Sequence, residues 1–117
     1  MNQDVKKLWL DELRSGKYLQ GKFALRQVDG SFCPLGVLCE VAVKAGVISP
    51  AKSYPYDEVR MAYAISTGGL PLEVEAWASL DSYTEITLDG KTTNIMGHND
   101  NHDKTFAQIA DAIEEQL

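Results

Sequence analysis

Cys33 stands just before Pro34 and an apolar helical pattern, so it occupies a helix start, where orphan N–H groups and the helix dipole favour a thiolate. A thiol nucleophile also needs a base. His98 or His102 would serve, with Asn94, Asn99 or Asn101 to orient the imidazole, in the order Cys, His, Asn along the chain. This sets out a cysteine-dependent hydrolase as one alternative, with Cys33, His98, His102 and Asn99 as its residues. The competing expectation is a small core-facing thiol. Cys33 is flanked by Phe32 and Pro34 at the end of a strand that reads as inward-facing, and cysteine is among the most buried residue types.

The segment Gly97-His-Asn-Asp-Asn-His-Asp103 holds two histidines and two aspartates, donors that suit Zn or Mn. A calcium loop beginning at Asp100 would need Gly where Thr105 stands and Glu where Asp111 stands. Asn and Asp here are better matched to turns that satisfy their own backbone ahead of the Thr105 cap, so neither metal nor cofactor is expected.

A third constellation is cationic. Arg14, Lys17, Lys22 and Arg26 surround Tyr18 and Gln20 in a turn containing Ser15, Gly16 and Gly21. Charge, amide donors and an aromatic face suit a phosphate, a nucleotide or an acidic protein surface. Arg14 and Lys17 would also offset the negative end of the preceding helix dipole, and Tyr18 would pack on the neighbouring hairpin. No phosphate-cradling Walker loop, Rossmann glycine fingerprint, Gly-x-Ser-x-Gly elbow or Cys-x-x-Cys is present. The acidic pairs Asp11-Glu12, Asp57-Glu58 and Glu114-Glu115 fall on polar faces, where solvation accounts for them.

These residues must be held by one domain spanning 1–117, a length that buries a working core without staples. No apolar run approaches the roughly 18 residues of a membrane span. Met1-Asn2-Gln3-Asp4 enters an amphipathic pattern without the features of a secretory leader, so a cytosolic protein is expected. Cys33 and Cys39, six apart in one helix, would lie roughly 9 Å apart, too far for a disulfide. A net charge of −6 argues against duplex DNA as a partner. That charge is uneven, with net +2 over residues 1–48 and −8 over 49–117.

Val5, Leu8, Trp9 and Leu13 share a helical face, and Gly16 follows as a stop, predicting a helix over about 4–15. Phe23, Leu25 and Gln27 alternate with Lys22, Ala24 and Arg26 before Asp29-Gly30, predicting a hairpin closed by Ser31-Phe32-Cys33. Pro34 opens a helix to about Ala45. Residues 49–58, with two prolines, read as a loop, and alternation over 59–66 reads as a strand. Leu70-Pro71 opens a short helix bearing Val74 and Trp77, and a second hairpin spans Tyr83 to Ile95 across Asp89-Gly90. Thr105 and Gln108 form a capping box for a last helix over about 106–115, with a stripe of Phe106, Ile109, Ala110, Ile113 and Leu117. The expectation is an α+β domain of four helices, two hairpins and one further strand in a small antiparallel sheet.

Across Leu13-Arg14-Ser15-Gly16, Tyr18, Gln20-Gly21, Leu25 and Phe32 through Cys39, the chain resembles a family of small uncharacterised phage and prophage proteins. The likeness continues through Leu70-Pro71, Val74, Trp77, Asn99-Asp100, Phe106, Ile109-Ala110-Asp111 and Ile113. Where this chain has Pro34, that family often has a second Cys. The resemblance implies a non-enzymatic accessory protein in the bacterial host cytosol, one that binds a host factor such as a defence component, or a small signalling molecule. The expected binding residues are Arg14, Lys17, Tyr18, Gln20, Lys22 and Arg26. A nucleotide-binding sponge using the same turn is the other alternative, and a homo-oligomer stays open.

Overall fold

In the computed structural model, which describes residues 1–117, helix α1 (Gln3–Arg14) begins where Asn2 Oδ1 accepts the N–H groups of Asp4 and Val5 at 2.9 and 3.2 Å. Its inner face buries Val5, Trp9, Leu10 and Leu13. Trp9 is fully enclosed and donates its indole N–H to the Pro34 carbonyl at 2.9 Å, tying α1 to the start of the next helix. Gly16, at φ +75°, then turns the chain out of α1.

Three two-residue strands follow: β1 (Leu19–Gln20), β2 (Arg26–Gln27) and β3 (Ser31–Phe32). β2 and β3 pair antiparallel around Asp29-Gly30, and β1 joins the far side of β3 in parallel, a pairing the alternation pattern does not carry. The parallel ladder is extended by Gly21, whose N–H donates to the Phe32 carbonyl at 2.8 Å. A side chain at this position would meet Ser31 Oγ at 2.4 Å, so only glycine lets the two segments close up.

Helix α2 (Pro34–Lys44) is buried along most of its length, from Pro34 to Cys39 and at Val41 and Ala42. Gly36 brings it against the 25 backbone: a Cβ there would lie 1.7 Å from the Leu25 carbonyl oxygen. Strands β4 (Lys52–Tyr54) and β5 (Asp57–Ala62) complete a five-stranded mixed sheet in the order β1-β3-β2-β5-β4. The 49–58 segment is therefore not all loop. Pro50 precedes β4 and Pro55 sits in the turn after it, so neither removes a donor from the ladder. The strand expected over 59–66 starts earlier, at Asp57, and stops at Ala62, beyond which Ala64 takes a φ of +54°.

Helix α3 (Leu72–Ala78) begins after Pro71, and Ser79 in the left-handed region ends it. β6 (Glu85–Leu88) and β7 (Lys91–Asn94) form a separate antiparallel ribbon. Asp89 and Gly90 both have positive φ, 52° and 76°, as a two-residue hairpin turn of this hand requires. Helix α4 (Ile95–Asn101), capped by Asn94 accepting from the Gly97 N–H at 2.7 Å, is a fifth helix where a turn was expected. Helix α5 (Phe106–Gln116) carries the Thr105/Gln108 capping box. One core, including Trp9, Leu25, Leu38, Tyr63, Ile109 and Ile113, joins helices and sheet in an α+β domain. No helix is long and apolar enough to cross a membrane.

Candidate functional site

The unexpected helix α4 places Asn99 and Asp100 against the loop that follows β1. Asn99 is fully buried, and each of its carboxamide atoms is used. Its Oδ1 accepts from Gln20 Nε2 at 2.7 Å, while its Nδ2 donates to the Gly21 carbonyl and to Asp100 Oδ1, both at 2.8 Å. Gln20 also donates to the Lys104 carbonyl at 2.7 Å and accepts the Phe106 N–H at 3.2 Å, seating the start of α5. Asp100 Oδ1 accepts the Phe23 N–H at 3.0 Å. A shallow polar depression lined by Gln20, Lys22, Asn99, Asp103, Lys104 and Thr105 opens above this network.

Phe23 is where the alternation pattern fails. It was expected to face inward in a strand, but it lies in the left-handed region at φ +64° with its side chain 64% exposed, while Ala24 and Leu25 are both buried. A bulky residue in that region costs roughly 1–2 kcal/mol. The side-chain-to-backbone bonds from α4 hold it there, which a period-two pattern cannot anticipate.

The thiol constellation is dispersed. Cys33 is 2% exposed at the α2 N-cap, and burial pushes its thiol up to about 12 against the opposing pull of the Leu35 and Gly36 amides. His98 is fully buried in the core. Its Nε2 lies 2.8 Å from the Ile86 carbonyl, which only accepts, so Nε2 is the donor, and Nδ1 has no hydrogen-bond partner. His102 is exposed, its ring 6.1 Å from that of His98, and no hydrogen bond joins either imidazole to Cys33. Both cysteines are free and buried, and no group of three or more His, Cys, Asp or Glu side chains is placed to hold a metal ion.

The six residues of the cationic turn separate into three groups. Arg14 reaches α5, pairing with Asp111 at 2.7 Å and Glu114 at 2.6 Å, which together hold its guanidinium above its usual value. Gln20, itself exposed, belongs to the network around the buried Asn99, and Lys22 pairs with Asp103, holding that carboxyl below its usual range. Lys17, Tyr18 and Arg26 stay near one another and are linked by two residues that spacing did not single out, the exposed Lys44 and the buried core residue Phe32.

Two adjacent rings, the half-buried Tyr18 and the buried Phe32, lie between two cations. The Arg26 guanidinium lies 5.1 Å from the Phe32 ring centre, and Tyr18 meets Phe32 edge-on at 5.2 Å and 87°. Lys44 Nζ stands 5.9 Å from the Tyr18 ring centre and donates to its hydroxyl at 3.3 Å. Glu12 receives both Lys44 and Lys17 at 3.1 Å; burial works to raise its carboxyl, yet the two lysines keep it below its usual value. At the other end Glu40 lies 3.9 Å from Arg26 and accepts a 2.6 Å bond from the Tyr63 hydroxyl. Lys44 is the basic residue in the last turn of α2, and sequence spacing does not connect it with the turn at 14–26. The contacts linking positions 18, 26, 32 and 44 arise from tertiary packing.

Fold and site together define a small α+β domain with a carboxamide clasp around the buried Asn99 and a cationic patch set against the Tyr18 and Phe32 rings. The chain belongs to the family described as Domain of unknown function (DUF8296), whose model matches residues 1–117. Neither a curated protein nor a solved structure matches it.

Proposed function

We propose that this protein is a non-enzymatic binding protein, an accessory protein of phage or prophage origin acting in the bacterial host cytosol. It engages an anionic partner, either the acidic surface of a host factor such as a defence component or a phosphorylated small signalling molecule. The observation that carries this reading is the row Arg26–Phe32–Tyr18–Lys44 with Lys17 at its end. Three cations there face two carboxylates, a local excess of positive charge on a chain of net charge −6. Lys17 and Lys44 keep 62% and 56% of their side chains exposed, and rings that fix neighbouring cations reduce what must be ordered on binding. The phage and prophage origin rests on the resemblance from Leu13 through Ile113, and small proteins of that class often act by binding and blocking host machinery.

The test pairs affinity capture from the bacterial host with a thermal-shift screen against mono-, di- and cyclic nucleotides. Wild type should capture a host protein, or rise in Tm with a nucleotide, and Lys17→Glu should lose that response while staying folded, its own Tm lowered only slightly by loss of the pair with Glu12. Equal responses from the two proteins would move the site elsewhere, and no response in either assay would sink the reading.

A further inference from the structure

We infer that the partner of the cationic patch is a protein, and that Arg26 takes one of its aspartate or glutamate side chains in a two-point grip through the end of the guanidinium. The inference rests on the binding reading above and chooses, between the two ligand classes left open there, the acidic protein surface. Arg26 differs from the other two arginines of the chain. Arg14 bonds Asp111 and Glu114 at 2.7 and 2.6 Å, and Arg60 bonds Asp57 at 2.5 Å. The guanidinium of Arg26 makes no hydrogen bond: Glu40 stands 3.9 Å from its Nη1, beyond reach, and its Nε has no partner.

Tyr63 accounts for the gap between Glu40 and Arg26. Fully buried in the core, Tyr63 donates its hydroxyl to Glu40 Oε2 at 2.6 Å, and so engages the oxygen that would otherwise close on Arg26. Arg26 is itself held from both sides. Its strand β2 lies inside the sheet, with Arg26 in register with Phe32 on β3 and with Met61 on β5. The guanidinium stands 5.1 Å from the buried Phe32 ring centre, yet the side chain keeps 32% of its surface exposed. Partly buried donors without an acceptor are costly, and a guanidinium fixed in this way gives up little freedom when an acceptor arrives.

Charge and shape select the acceptor. Arg26, Lys17 and Lys44 stand against Glu12 and Glu40, which leaves one net positive charge. A carboxylate balances that charge, whereas a phosphomonoester, at about −2 near neutral pH, would set a second negative charge against the two glutamates. The planar fork of arginine also matches a carboxylate through two parallel N–H···O bonds. Free small molecules enter concave sites, and Arg26, Tyr18 and Lys17 line none of the surface depressions; Lys44 borders one, with Leu8 and Val41, between α1 and α2. A carboxylate carried on the surface of another protein needs no such enclosure, and arginine is prominent among the residues that dominate protein interfaces.

The experiment follows the arginine side-chain NMR signals of the isotope-labelled full chain during titration with a capped hexaglutamate peptide and, separately, with adenosine monophosphate. Three arginines give few enough signals to separate, and the set lost in Arg26→Lys assigns Arg26. The peptide should shift the Arg26 Nε–H signal and slow rotation about its Cζ–Nη bonds, as a carboxylate held by both Nη groups requires. The nucleotide at equal concentration should leave these signals in place. Arg26→Lys keeps the charge and an aliphatic stem over Phe32 but loses the fork, so its backbone amide spectrum should stay that of the folded chain while its affinity for the peptide falls at least ~10-fold. No peptide-induced change at Arg26, equal affinity in Arg26→Lys, or a larger response at Arg26 to the nucleotide than to the peptide would each overturn the inference. Peptide binding that Lys17→Glu loses and Arg26→Lys keeps would leave the binding reading standing without the fork. A wild type that responds to neither anion and captures no host protein would remove both.

Discussion

Gln20 and Asn99, 79 positions apart in the chain, share a 2.7 Å hydrogen bond between their carboxamides beneath the loop that presents Phe23. Because Gln20 also seats the start of α5 and Asn99 also holds the Gly21 carbonyl, this one contact ties strand β1 to two helices.

Removing either carboxamide leaves partly buried partners unsatisfied, at up to about 1–3 kcal/mol per group. Asn99→Ala should therefore destabilise the fold by about 2–4 kcal/mol, and Gln20→Ala by somewhat less because part of its surround is exposed. The two losses should not add: a double-mutant cycle by urea denaturation is expected to give a coupling of about 1–2 kcal/mol. Strict additivity would show that the clasp does not work as a unit.

Gly36 tests the packing of α2 on the sheet. A methyl group at this position would lie 1.7 Å from a main-chain oxygen, an atom that cannot rotate away as a side chain would. Gly36→Ala should cost more than about 3 kcal/mol despite the better helix propensity of alanine, which favours the substitution by only about 1 kcal/mol. Gly46→Ala is the useful comparison, since the space around it is open and only its φ of +77° opposes the change. A Gly36→Ala protein as stable as wild type would mean that α2 is free to move off Leu25.

What was legible in the sequence was local. Val5, Trp9 and Leu13, like Phe106, Ile109 and Ile113, repeat at helical spacing next to their own caps, so α1 and α5 could be read within a residue or two. Asp29-Gly30 and Asp89-Gly90 announced their turns for the same reason. Helix α4 was missed because its Asn-Asp-Asn sequence favours local side-chain bonds in turns, and only burial of Ile95, His98 and Asn99 overrides that preference. The parallel pairing of β1 with β3 depends on the fit of Gly21 against Ser31, and Phe23 was misplaced because α4 holds its backbone out of the strand. The cationic turn looked like one site because its members are close in sequence, whereas its charges pair with acids more than sixty positions away in two of three groups.

Asp57 gives an acid-side prediction. Its carboxylate accepts the Val59 and Arg60 N–H groups, both at 2.9 Å, and the Arg60 side chain at 2.5 Å. The Arg60 backbone N–H, then that of Val59, then the Arg60 side chain hold the carboxyl at about 2 against an ordinary 3.8. A depressed folded pKa means that the unfolded chain takes up the proton first, so the contribution is whole above pH 4 and is lost as pH falls towards about 2. A carboxyl NMR titration should find the Asp57 midpoint near 2, with the Val59 and Arg60 amide shifts moving together with it. A midpoint at the ordinary value would mean that the turn into β5 is not closed in solution.

The buried thiols give the opposite sign at high pH. Burial raises Cys33 from 9.0 to about 12 and raises Cys39 as well, while burial and the bond to Glu40 raise Tyr63. In each case the unfolded chain loses its proton first. Their contribution is therefore complete below pH 9 and declines as pH rises towards the folded values. Each thiol should add a slope of about 1.4 kcal/mol per pH unit over its window, so urea midpoints should fall steadily between pH 9 and 11. Cys33→Ala should lower stability at neutral pH by about 1–2 kcal/mol for the lost packing, yet shallow the alkaline decline by about one thiol's worth of slope. The same burial predicts that iodoacetamide labels Cys33 in the native protein only as fast as the chain opens. Native labelling at pH 8 at the rate of the urea-unfolded chain, together with an unchanged alkaline slope in Cys33→Ala, would place the thiol at the surface and reopen its use as a nucleophile.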